Sequence, residues 1–87
     1  MKVVDLTGIT RRHTVLHYRR SFTGTAVLEN SGARREERPV HFVVEHAPLG
    51  PTTITVHFTG SQDDITQPLV EALRERVQAL DTAGKLP

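Results

Sequence analysis

Residues 52–59 (Thr52-Thr53-Ile54-Thr55-Val56-His57-Phe58-Thr59) alternate strictly, with Ile54, Val56 and Phe58 on one face and Thr53, Thr55, His57 and Thr59 on the other. Alternation with period two predicts a half-buried strand. Val40 to His46 precedes it across the turn-rich Ala47-Pro48-Leu49-Gly50-Pro51. Pairing His46 with Thr52 sets Val44 against Ile54, Phe42 against Val56 and Val40 against Phe58, so every large apolar residue reaches one side. A slip of one residue would separate Phe42 and Val44 from Ile54 and Val56, so burial fixes the register. The same register places His41 opposite His57 on the other face.

Upstream the pattern is looser. Lys2 to Ile9 reads as a strand with Val4 and Leu6 on one face and Val3, Asp5 and Ile9 on the other. His13 to Tyr18 is a second extended stretch, and Phe22 to Glu29 a third, with Phe22, Gly24, Ala26 and Leu28 in phase. Arg19-Arg20-Ser21 lies between them. Residues 11–29 therefore form either a hairpin or one long strand bulged near Gly24, and the hairpin is preferred. Asn30-Ser31-Gly32 signals a turn. Ala33 to Pro39 carries no apolar side chain larger than alanine and reads as a solvated connection.

Thr66 to Ala83 predicts the one helix. Thr66 is a suitable cap, Pro68 is tolerated in the first turn, and Asp63 and Asp64 suit the positive end of the helix dipole. Gly84 marks the stop, with Leu86 placed to fold back on the last turn. At about 100° per residue, Leu69, Leu73, Val77 and Leu80 share a narrow stripe opposite Glu71, Arg74, Glu75, Gln78 and Asp81. Arg76 interrupts the stripe, about 20° from Leu69 on the wheel. Its stem can cover apolar surface while the guanidinium reaches water, or it can pair with Asp5, Glu29, Glu45 or a second copy. The expected fold is α+β: a single domain over residues 1–87, with an antiparallel sheet of four to five strands and one C-terminal α-helix packed on one face.

Composition narrows the setting. At 87 residues the chain suffices for one core. With no cysteine there is neither a disulfide framework nor a thiolate metal site, which favours a cytoplasmic home. Met1 to Thr10 lacks the continuous apolar core of a leader peptide, and no unbroken apolar run exceeds three residues, so no membrane span is expected. The net charge of +1 conceals an asymmetry. Residues 1–38 hold eight basic and four acidic side chains; residues 39–87 hold three and six. A basic half can seek phosphate or the acidic half of another copy.

Candidate chemistry is sparse. His41 and His57 would bring their Cβ atoms within about 5.5 Å, close enough to share an ion. His13 and His17 would lie about 13 Å apart, no third ligand is placed, and no metal or other cofactor is expected. No serine sits in a nucleophile elbow, no glycine-rich phosphate loop occurs, and Glu36-Glu37 and Asp63-Asp64 are adjacent loop residues rather than a positioned acid and base. The balance leans away from an enzyme. The leading expectation is a non-enzymatic protein–protein interaction module that self-associates or docks a partner. It would act through an open strand edge or through a second sheet face bearing Val3, Ile9, Val15, Val27 and Val43. The alternative is a nucleic-acid or phosphate-binding domain. Its binding residues would be Arg11, Arg12, Arg19 and Arg20 beside Tyr18 and Phe22, with Arg76 a further candidate.

Overall fold

The computed structural model describes residues 1–13 and 18–87. Strands β1 (Lys2–Arg12), β2 (Arg19–Glu29), β3 (Arg35–His46) and β4 (Thr52–Phe58) are followed by helix α1 (Gln67–Thr82). The strands lie side by side in chain order, each pair antiparallel. This is an α+β domain in which one C-terminal helix covers one face of a four-stranded meander.

The β3–β4 register is the expected one: Val40, Phe42 and Val44 face Phe58, Val56 and Ile54, and His41 faces His57. β2 extends the apolar face, with Phe22 opposite Phe42. Those two rings stack with centroids 5.0 Å apart and planes inclined by 20°. Leu69, Leu73 and Val77 of α1 close the core. The helix touches β1 and β4, the two edge strands, so the sheet curls around it and its outer face is convex.

β1 departs from the expected phase. Val3 lies opposite Leu28 and Leu6 opposite Ala26, although three residues separate them. One register shift falls between Val3 and Asp5 and a second between Thr7 and Thr10. Each extra residue rotates the strand to its other face. Val3, Leu6 and Ile9 consequently all pack toward the core, and Val3 and Ile9 are absent from the second face. The second shift contains Gly8, at a φ of 60° that suits glycine. Opposite it, a Cβ on Gly24 would stand 3.2 Å from the Thr7 carbonyl oxygen, so only glycine fits without displacement.

Two boundaries also move. β1 continues to Arg12 and β2 begins at Arg19, so Arg19-Arg20-Ser21 lies inside a strand rather than at a join. Val15, Leu16, His17 and most of the expected strand 13–18 lie outside the described residues. β3 begins at Arg35, so most of the expected connection is strand. Pro39 is tolerated there because its backbone groups point past the end of β4, where the Thr59 N–H donates to the Pro39 carbonyl at 2.9 Å. The turn before β3 is held by Asn30, whose side-chain oxygen accepts from the Gly32 and Arg34 amides.

Thr66 occupies the cap position of α1 with extended backbone but makes no side-chain capping bond. At the other end the Lys85 N–H bonds to the Leu80 carbonyl and the Gly84 N–H to the Asp81 carbonyl. This 6→1 and 5→2 pair is the Schellman stop, and Leu86 returns to the core.

Candidate functional site

Adjacent residues in a strand point to opposite faces, so an arginine doublet cannot form one patch. Arg20 and Arg19 demonstrate the split. Arg20 points to the helix side, where its guanidinium meets Asp81 Oδ1 at 2.6 Å and His46 Nε2 at 2.7 Å. Arginine only donates, so His46 Nε2 accepts and Nδ1–H is left to donate to Thr52 Oγ1 at 2.9 Å. This chain of bonds ties the last turn of α1 to β2, β3 and β4. Arg20 is thus a structural residue. Arg19 faces the outer side opposite Glu45, and Arg12 the outer side opposite Ser21. Arg11 is exposed opposite Phe22. Phe22 itself is fully buried and offers no ring to a nucleic-acid base, whereas Tyr18 is 48 % exposed. Arg76 stands at the β1 side of the helix, 4.0 Å from Asp5 and 39 % exposed, which combines a pairing with solvent access. The structure therefore gathers Arg12 and Arg19 at one end of the outer face and leaves Arg20 and Arg76 elsewhere.

Arg38 has no counterpart in the sequence reading. On the inner face opposite Ala26, it contacts both Asp64 oxygens at 2.9 and 3.0 Å, the Ser61 carbonyl at 2.6 Å and Glu36 at 3.2 Å. These bonds, to Asp64 first and then Glu36, raise its proton affinity further, and in return hold the Asp64 carboxyl below its usual range. The arrangement clamps the loop entering α1. Continuing the alternation backward from Val40 would have placed Arg38 inward.

His41 and His57 face each other on the outer side. The His41 proton affinity is lowered by burial first, then by the charges of His57, Arg12 and Arg19. Among the described residues no group of three histidine or carboxylate side chains converges to hold a metal.

The remaining feature is an open edge. The bond from Thr59 N–H to Pro39 O identifies that pair as a hydrogen-bonded one. Bonding alternates along an antiparallel ladder, so residues 53, 55 and 57 bond to β3 while Thr52, Ile54, Val56 and Phe58 direct their backbone groups outward. The Phe58 carbonyl accepts from the Gln62 amide, as an outward group would. β4 contains no bulge, proline, glycine, lysine or carboxylate. Beside it runs a groove of about 330 Å³ between Thr52 and Ile54 of the strand and Glu71, Arg74, Glu75 and Gln78 of the helix.

One protein-family profile matches residues 1–82, nearly all of the folded domain. The chain belongs to the BB_0187 family. No curated protein and no solved structure matches it. In this family member, no helix among the described residues is long and apolar enough to cross a membrane.

Proposed function

We propose that the protein is a non-enzymatic interaction module of the cytoplasm that self-associates by joining β4 to β4 of a second copy. The observation that carries this reading is the bare edge of β4. Edge strands are ordinarily protected by charges, prolines or bulges, and β4 has none of them. A two-fold axis at Thr55 sets Ile54 of one copy against Val56 of the other, so that outward amides meet outward carbonyls. Inward side chains then remain inward, and the two sheets become one continuous sheet. The groove beside the edge is self-complementary in charge. Arg74 lies between Glu71 and Glu75 on its rim, so each copy offers both signs to its neighbour.

The test is the solution mass. Sedimentation should give a dimer whose fraction rises with concentration. Thr55→Lys sets two like charges across the axis, where same-face side chains are closest. Because Thr55 is exposed, the variant should keep its thermal midpoint and sediment as a monomer. A wild-type protein that stays monomeric at millimolar concentration overturns the reading.

A further inference from the structure

We propose that the outer face of the sheet, at the end carrying Arg12 and Arg19, binds the phosphodiester backbone of single-stranded nucleic acid. This site is separate from the β4 edge and does not depend on it. Three observations converge on it.

The first is a run free of acid. Residues 6–28 contain Arg11, Arg12, Arg19, Arg20, His13 and His17 and no aspartate or glutamate. The β1–β2 region therefore supplies no carboxylate of its own to neutralise Arg12 or Arg19. The Asp81 carboxylate that approaches from the helix is engaged by Arg20 on the opposite face. Glu45, across from Arg19, is the one acid in register with the two arginines.

The second is the composition of the face. One cross-strand row runs Arg12, Ser21, Val43, Thr55, and the adjacent row runs Thr10, Thr23, His41, His57. Guanidinium, hydroxyl and imidazole groups all donate to phosphate oxygens, and neither row contains a carboxylate. The resistance of His41 to protonation, after burial, comes from His57, Arg12 and Arg19, which marks the surface as electropositive.

The third is shape. The sheet curls around α1, so this face is convex. A convex surface cannot cup a rigid duplex, whereas a flexible single strand can drape across it. All three phenylalanines are buried in the core, leaving Tyr18, beside Arg19, as the exposed ring. Binding is accordingly driven by the backbone and is indifferent to sequence.

Fluorescence anisotropy with a labelled oligothymidylate tests this, at about 20 nucleotides so as to exceed a site of ~4–16. Affinity should fall steeply with salt, each arginine–phosphate contact contributing about −0.7 to the slope of log K against log salt. The double variant Arg12→Gln/Arg19→Gln should weaken low-salt binding about tenfold or more and flatten the slope by roughly 1.4. Arg12→Lys/Arg19→Lys should retain most of the binding, because point charges suffice for a backbone contact. Arg34→Gln, in the turn at the far end of the sheet, should change nothing. Both exposed arginines lack ion pairs among the described residues, so the thermal midpoint should hold in every variant. Three results would overturn the proposal: no binding at low salt, equal weakening by Arg34→Gln, or capture by phosphatidylserine vesicles in place of the oligonucleotide.

Discussion

β1 and β4 are both edge strands, and α1 rests on both, yet they treat the open side of the sheet in opposite ways. β1 is interrupted by two register shifts and begins and ends in basic residues. Its bulges turn Val3, Leu6 and Ile9 inward at a spacing of three and leave no regular ladder for an incoming strand. β4 keeps strict alternation and carries no charge apart from what His57 can acquire. One edge has used irregularity to seat itself on the helix. The other reaches the helix through ordinary period-two packing and so retains a pairing surface. An edge's availability is thus decided by how its strand satisfies the core, as much as by its polarity.

The largest effect should come from removing the irregularity of β1. Gly24 faces the Gly8 bulge, and a Cβ there meets the Thr7 oxygen at 3.2 Å, Ile9 Cγ1 at 3.5 Å and Leu6 Cδ1 at 3.6 Å. Gly24→Val adds a branched side chain to that contact, and overpacking of this kind costs about 1–3 kcal/mol. For a domain of this size the thermal midpoint should fall by roughly 4–24 °C. Gly24→Ala should fall less, since its single methyl meets only the carbonyl at short range. A midpoint unchanged in Gly24→Val would mean that β1 can leave its bulged register freely.

A second comparison sharpens the edges themselves. Thr7 and Thr55 are both exposed residues of the outer face, on β1 and β4 respectively. Lysine at Thr55 should weaken self-association by at least about tenfold, since like charges directly opposed across strands repel. Thr7→Lys, on the bulged edge, should leave the sedimentation profile as in the parent. Equal loss from both substitutions would place the contact on the convex face instead of the β4 edge.

The parts of this fold that were legible in the sequence are those governed by one uninterrupted period. The β3–β4 register followed from Ile54, Val56 and Phe58, and the helix from the stripe Leu69, Leu73, Val77 and its glycine stop. β1 was misread because two inserted residues convert period two into period three, and periodicity counted across a bulge assigns Val3 and Ile9 to the wrong face. The start of β3 was hidden because Arg38, an inward position, is charged. Its burial is sustained by Asp64, distant in sequence, and no local pattern announces that partner. The arginine doublets were legible as basic, but grouping Arg19 with Arg20 overlooked the alternation of a strand, which commits one to the helix and releases the other.

The smallest expected effect is a pH response at the β4 side of the outer face. The folded-state proton affinity of His41 lies below its ordinary value, through burial and then through His57, Arg12 and Arg19. As pH falls through about 6.5, the unfolded chain takes up a proton that the folded chain resists. The contribution to stability is therefore complete above that pH and is lost on acidification toward the folded-state value. Asp64, whose carboxyl is also held low, begins to lose its contribution only below about pH 4, so between pH 7 and 5 the histidines act alone of the two. His57→Gln removes the neighbouring imidazole and should make the decline of the thermal midpoint over that range shallower without abolishing it, burial being the larger cause. Thr10→Val, at the β1 end of the same cross-strand row, should leave the slope as it was. A slope unaltered by His57→Gln would assign the whole effect to burial and would remove the imidazole pair as a source of positive potential on this face.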